Sequence, residues 1–403
     1  MSTPARSHSP PTPPASSEPS AKRVRLTSPA LDLEPATNPV ASTSALPYGT
    51  GLHLAPMVRI GTLPTRLLCK SSIRSLEYGA ELVWGPEIVD KAIIGATREV
   101  DPRTGTIKFT KKGRSIFECH PLEKPRLIFQ LGSADPDLAV EAAKIVQADV
   151  AGIGLNCGCP KPFSLSGGMG AALLKVPDKL CSILRALVKE TTVPIDVKIR
   201  LLPEQATTLE LVSQLIDTGV SALTVHCRTQ EMRSSEPALL ERLKEIVELV
   251  KPKGIPVIAN GDCIAAGDRA RIEEITGVSS IMIARGAESN PSCFSPHGHA
   301  DPTTVVLPLY IRVAMATDNN YANSKYCMNA ISLTASSSAP SKERRSELKQ
   351  TLNKAKTYQD ACNIFDLDYA TLKKDRLEDL LPLWTERRKN TLVLQPEAVA
   401  EAL

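Results

Sequence analysis

The stretch VPIDVKIRLLPEQATTLELVSQLIDTGVSALTVHCRT, residues 193–229, carries one complete structural unit. Residues 195–199 form a short apolar run rich in β-branched side chains, and residues 222–226 form another. Between them, 207–218 places apolar residues at helical spacing. Strand, helix and strand in so short a stretch imply a parallel pair with a crossover helix. The theme repeats on both sides. Strand-like runs lie at 53–57, 81–84, 126–131, 150–155, 256–260 and 280–284, which with the first two makes eight. Helical spacing marks 135–147, 177–189 and 237–250. Eight β/α units over about 240 residues match the size of an α/β fold of the TIM, (β/α)8, barrel class. An open doubly wound sheet is the competing arrangement. Residues 106–117 look like an inserted hairpin.

The flanks differ from this centre. Residues 1–47 hold ten of the 32 prolines and no aromatic side chain. Such a Pro/Ser-rich arm cannot bury enough apolar surface to offset its ordering entropy, so disorder is expected there. It contains a basic cluster, Lys22 to Arg25, of the kind that can direct nuclear import, and a solvated charge run is the bland alternative. A cytoplasmic location, a nuclear one or both is expected. Residues 48–300 are assigned to the barrel. From 301 to 390 strand character disappears, and 305–335, 341–365 and 371–388 read as helices. This predicts a small C-terminal helical domain with Lys342, Arg344, Arg345, Lys349, Lys354 and Lys356 on it, followed by a tail at 391–403.

The whole chain has 403 residues, is 42% hydrophobic and carries a net charge of +4. That mild charge alone does not argue for nucleic acid. No stretch is long and apolar enough for a bilayer, so no membrane association is expected. The ten scattered cysteines read as reduced thiols rather than as a disulfide framework.

In a TIM barrel the chemistry sits where the strands end. The strand ends here deliver Met57, Glu87, Gln130, Asn156 with Cys159, Lys198 with Arg200, His226, Asn260-Gly261-Asp262 and Ala284-Arg285-Gly286. Singly, each has a structural explanation: Lys198 as a surface lysine, His226 as a core histidine. Together they point to a site. Gly261 and Gly286 would let backbone N–H groups approach an anion, with Arg285 adding charge, which suggests a phosphate pocket after the last two strands. Cys157 and Cys159 lack two further ligands at zinc spacing, so no metal is expected. Cys157 reads as structural. Cys159, between Gly158 and Pro160 and ahead of the Gly-rich run Ser166 to Leu173, reads as reactive.

These stretches resemble the tRNA-dihydrouridine synthase family. The matching segments are Leu54 to Arg59, Phe129 to Gly132, Asn156 to Pro160 with Gly167 to Leu174, Val197 to Arg200, Val225 to Arg228, Ile258 to Gly261, and Ala284-Arg285, and their order and spacing hold from about residue 53 to 294. Met57 to Pro64 is most similar to the eukaryotic branch acting on position 20 of the tRNA D-loop. The resemblance implies an FMN-dependent oxidoreductase reducing tRNA uridine to 5,6-dihydrouridine with NADPH or NADH. It implies that Pro56, Met57, Val58, Gln130, Lys198 and His226 contact the flavin. Asn260, Gly261, Asp262, Ala284, Arg285 and Gly286 would hold its phosphate. Glu87, Asn156 and Arg200 would face the uracil, and Cys159 would be the proton donor. The helical domain would bind tRNA, and the enzyme is expected to act as a monomer. The sequence departs from the family pattern at Gly154, where an acidic residue is common, in the approach Trp84-Gly85-Pro86 to Glu87, and in an apparent insertion at 69–75. Alternatives are a dihydroorotate dehydrogenase-like FMN barrel acting on a free pyrimidine, or a non-catalytic RNA-binding protein.

Overall fold

The computed structural model describes residues 46–70, 78–334 and 340–380. The expected arm with its Lys22–Arg25 cluster, most of the 69–75 insertion, and the end of the chain with Arg387, Arg388 and Lys389 lie outside the described residues.

Eight parallel strands form the core: β1 (Gly51–Leu54), β2 (Ala80–Trp84), β3 (Leu127–Gly132), β4 (Gly152–Cys157), β5 (Ile195–Arg200), β6 (Ala222–His226), β7 (Val257–Asn260) and β8 (Ser280–Ile283). Each pairs with its chain neighbour from β3 to β8, and β8 pairs with β1, β1 with β2. The pairing of Val83 and Trp84 with Leu127 and Ile128 closes the ring. Closure decides against the open sheet and leaves no unpaired edge among these strands.

Alternation along each strand divides the side chains between two environments. Outward residues such as Leu127, Phe129, Val197 and Ile199 join the large core between strands and helices. The helix Pro136–Val146 shows why its sequence packs there. Asp135 caps it by accepting from the N–H groups of Asp137 and Leu138, both at 3.0 Å. Ala139, Ala142, Ala143 and Val146 then recur on one buried face. Inward residues Leu82, Trp84, Ile128, Ala222, Ile258 and Met282 fill the lumen with Tyr48.

The insertion after β2 is larger than a hairpin. Thr97–Val100, Ile107–Lys111 and Arg114–Cys119 form a three-stranded antiparallel sheet. Phe117 anchors it, its ring 5.0 Å from that of Phe129 in edge-to-face contact.

Past the barrel, the helix expected over 305–335 is two helices, Leu307–Ala316 and Tyr321–Ala330, and 341–365 also divides, into Lys342–Lys354 and Tyr358–Ile364. Caps cause both breaks: Asn320 accepts from the N–H groups of Ala322 and Asn323, and Thr357 from that of Asp360. The last expected helix starts as the short turn Tyr369–Leu372. These helices share a core with Leu63, Leu67 and Leu68 of the barrel helix Leu63–Cys69. The helical region is therefore docked on the first β/α unit.

Candidate active site

The loop after β2 and the carboxyl ends of β3, β4 and β5 bring together a carboxyl, amides, a thiol and two basic side chains. Asn156, next to last in β4, accepts from the N–H of Gly158 at 3.0 Å, which turns the chain toward Cys159. Ala171 N–H then donates to the Cys159 carbonyl at 3.0 Å, folding the Gly-rich segment back over the thiol. Gly170 makes this approach possible. It has φ 56°, and a Cβ there would lie 2.6 Å from the Cys159 carbonyl oxygen.

The half-buried Cys159 thiol has its pKa raised by burial and by the nearby Glu87 charge, against the Lys161 N–H and Ser164. It therefore stays protonated at neutral pH. Glu87 packs into the space left by Gly132, where a Cβ would meet its Oε1 at 2.7 Å. Burial raises the Glu87 pKa, offset in part by contacts with Asn156 and Cys159, and its buried Oε1 has no hydrogen-bond partner among the described residues.

Lys198 projects into the mouth of the barrel from β5. Burial, then the Arg200 charge, pulls its pKa down to about 7, against Cys227, Asp196 and Cys159. Neither its ammonium nor the amide of Gln130, only 3% exposed on β3, has a hydrogen-bonding partner among the described residues. Unpaired polar groups inside a protein are costly, so a pair of them facing one mouth marks a place for a polar ligand. His226 ends β6, one strand on from Lys198. Burial, then Lys198, Arg200, Arg228 and Arg285, pushes its pKa down to about 2, so it is neutral. Lys198, Arg200, Arg228 and Arg285 surround this neutral imidazole with the single carboxylate of Asp262 among them, a corner of net positive charge that suits an anion.

Several expected residues have other duties. Arg200 donates to the carbonyls of Gly158 (2.7 Å) and Thr229 (2.9 Å), tying the Cys159 loop to the β6 loop. The carboxylate of Asp262 accepts from Arg228, from Arg285 at 2.6 Å and from the Ala238 N–H at 2.6 Å. Burial would raise its pKa, but these bonds and charges hold it below the usual carboxylate range. Its side chain thus orients two guanidiniums, leaving only its backbone to face an anion. Gly286 serves packing: a Cβ would lie 1.8 Å from the Ile264 carbonyl oxygen. Gly261 has φ 137°. The Asn260 amide donates to the Met282 carbonyl at 2.9 Å. Ala284 is half-buried at the start of the short helix Arg285–Ser289. The N–H groups in its first turn have no intrahelical acceptor. Pro56 and Met57 are half-buried on the β1 loop, whereas Val58 is 56% exposed.

The sequence reading missed Arg228 and Asp196. Arg228 is buried and bonds Asp262 and the carbonyl of Glu236 at 2.8 Å. Its place two residues after His226 was the available signal. Asp196 is fully buried in the lumen, near the Trp84 indole N–H (3.3 Å) and the Tyr48 hydroxyl (3.4 Å). Burial raises its pKa to about 7, against those two hydrogen bonds and Lys198. An acid two residues before a lysine on a strand shares its face, which period-two reading exposes.

Comparison with known proteins follows the same lines. Residues 53–374 match the family described as Dihydrouridine synthase (Dus). The chain is 48% identical over 333 residues to a tRNA-dihydrouridine(20) synthase [NAD(P)+] of Schizosaccharomyces pombe, covering 80% of this chain and 66%, just under two thirds, of that one. It is 40% identical over 307 residues to the Saccharomyces cerevisiae protein of the same name, covering 70% and 77%. A tRNA-dihydrouridine(20a/20b) synthase [NAD(P)+] of Saccharomyces cerevisiae is 34% identical over 64% of this chain and 65% of its own length. With a closed barrel whose rim gathers the family's motif residues, this chain belongs to the dihydrouridine synthase family.

Proposed function

We propose that this chain reduces uridine in tRNA to 5,6-dihydrouridine, at position 20 of the D-loop, with FMN as cofactor and NADPH or NADH as reductant. The position and the reductant rest on the relatives' names. The observation that carries the chemistry is the convergence of a protonated thiol, Cys159, with the Lys198 amine and the Gln130 amide, neither hydrogen-bonded among the described residues, at one barrel mouth.

The donor set fits FMN. Gln130 and Lys198 offer free hydrogen-bonding groups to the edge of a polar heteroaromatic ring, with Pro56 and Met57 beside them. Arg285 and the backbone at Gly261, Asp262 and Gly286, in the corner of positive charge around His226, suit its phosphate. When bound, FMN supplies the hydride that reduces uracil C6.

The protein's own residues do the rest. Cys159 gives its S–H proton to C5, and its raised pKa keeps that proton available at neutral pH. Glu87 contacts Asn156 and Cys159, and in this reading Glu87 and Asn156 face the uracil imide. Arg200 acts by holding the Gly158 carbonyl, and hence the loop that carries the acid. The folded-back Gly-rich segment helps exclude water. The target base must leave its stack to enter, at a cost of a few kcal/mol.

The test is incubation of purified protein with NADPH and an unmodified tRNA transcript, with dihydrouridine located by mass spectrometry. A mass gain of two hydrogens at uridine 20 is expected. With Cys159→Ala, flavin absorbance should persist while dihydrouridine formation from prereduced protein drops by at least about 100-fold, the scale of a lost general acid. Undiminished turnover would reject Cys159 as the acid. A colourless protein that leaves tRNA unchanged would reject the enzymatic reading.

A further inference from the structure

Arg59 lies in the loop that follows β1 and has a left-handed backbone, φ 69°. A residue with a Cβ holds that conformation only when its surroundings enforce it. The C-terminal helix Tyr321–Ala330 supplies the enforcement. Asn323 Nδ2 donates to the Arg59 carbonyl at 2.7 Å, and Cys327 Sγ donates to it at 3.3 Å. Asn323 is itself held by Thr62 Oγ1 at 3.0 Å and Asn319 Nδ2 at 3.1 Å, both donating to its Oδ1.

The outcome is a stack. The Arg59 guanidinium carbon lies 3.7 Å from the centroid of the Tyr326 ring. Both side chains are exposed, beside the exposed Val58. Among the described residues no carboxylate, carbonyl or hydroxyl accepts from this guanidinium. Contact with the ring face holds the guanidinium in place, and its five N–H donors remain available to a bidentate anion.

Four basic residues further along are engaged within the protein. Arg344 pairs with Glu347 at 2.8 Å, Arg345 donates to the Pro340 carbonyl, and Lys349 and Lys325 each donate to two main-chain carbonyls. Arg59, by contrast, sits on the rim where the nucleotide must enter. We propose that the Arg59–Tyr326 pair binds a backbone phosphate of the RNA strand beside the nucleotide being reduced. This rests on the reading of RNA as substrate. Gripping the flanking phosphodiester is what a site that extracts one base requires.

The test uses the full chain with FMN and a tRNA transcript, with affinity measured across a salt series. Arg59→Ala is expected to weaken binding about tenfold. It should also make the slope of log affinity against log salt shallower by about 0.7–0.9, the value for one lost phosphate contact. Flavin absorbance per protein should not change. Arg59→Lys should restore the slope and only part of the affinity, and Tyr326→Phe should stay near wild type. Unchanged affinity and slope in Arg59→Ala would overturn the proposal. So would weaker binding with an unchanged slope, which indicates contact with a base. If Arg59→Ala loses flavin or melts early, Arg59→Gly decides, because glycine accepts φ 69°: flavin bound with wild-type tRNA affinity overturns the proposal. Wild-type protein that binds no tRNA would instead sink the proposed substrate.

Discussion

Asp196 occupies the space that any side chain at position 154 would need. The two residues face each other across the β4–β5 ladder. A Cβ on Gly154 would lie 2.8 and 2.9 Å from the two carboxylate oxygens of Asp196. The lumen below the proposed flavin therefore holds its acid on β5, beneath Lys198, and glycine on β4 makes room for it.

The two positions should be energetically coupled. Gly154→Ala is expected to destabilise the fold by about 1–3 kcal/mol through overpacking. The cost should shrink when Asp196→Ala is made in the same chain, since the clashing group is gone. Urea unfolding of the two single variants and the double variant measures the coupling. Strictly additive losses would show that the space is not shared.

Arg285 and Asp262 should separate cofactor binding from stability. Arg285 has a half-exposed side chain, so Arg285→Ala should change stability by no more than about 0.5 kcal/mol. It should nevertheless lose FMN on dialysis, read as flavin absorbance. Asp262→Ala leaves the buried Arg228 without its carboxylate and should both lose flavin and destabilise the fold by about 1–3 kcal/mol.

A buried ion pair holds the first β/α unit to the inserted sheet. Arg66 donates to both oxygens of Glu123, at 2.7 and 2.8 Å, and to the carbonyls of Gly61 and Glu118. Glu123→Ala strands a fully buried guanidinium. The expected loss is about 3–5 kcal/mol, measured by chemical denaturation.

Acid should destabilise the protein through His53. Burial, then Arg126 and Arg269, lowers its pKa to about 3, and its Nε2 lies 2.8 Å from Ser280 Oγ. The unfolded chain protonates this ring near pH 6.5 and the folded chain only near 3. Its contribution is thus complete above about pH 6.5 and is lost as pH falls toward 3, at up to about 1.4 kcal/mol per pH unit. In His53→Asn the urea midpoint should fall less steeply across that window. An unchanged acid slope would show that other groups dominate.

The eight strands, their parallel order and the residues at their carboxyl ends were legible in the sequence, because a strand's period and a crossover helix's spacing are local properties. Ring closure was expected from the count of eight units, but the open sheet was excluded only by β2 meeting β3 after a long insertion. The helix breaks at Asn320 and Thr357 were carried by ordinary capping residues, but the surrounding apolar spacing masked them. Within the site, residue types at the strand ends singled out Cys159, Lys198 and His226 as candidates, because chemistry of that kind follows from the side chain itself.

Which groups are free and which are spent could be decided only by the tertiary structure. Sequence alone treats Asp262 and Gly286 as partners for an anion. The fold gives one to two guanidiniums and packs the other against Ile264. Among the described residues it leaves Lys198 and Arg59 without an acceptor, and it sinks Asp196 beneath the mouth. Periodicity is written along one chain segment, whereas hydrogen-bond competition, burial and charge crowding depend on groups far apart in sequence, and these set what each side chain can still do.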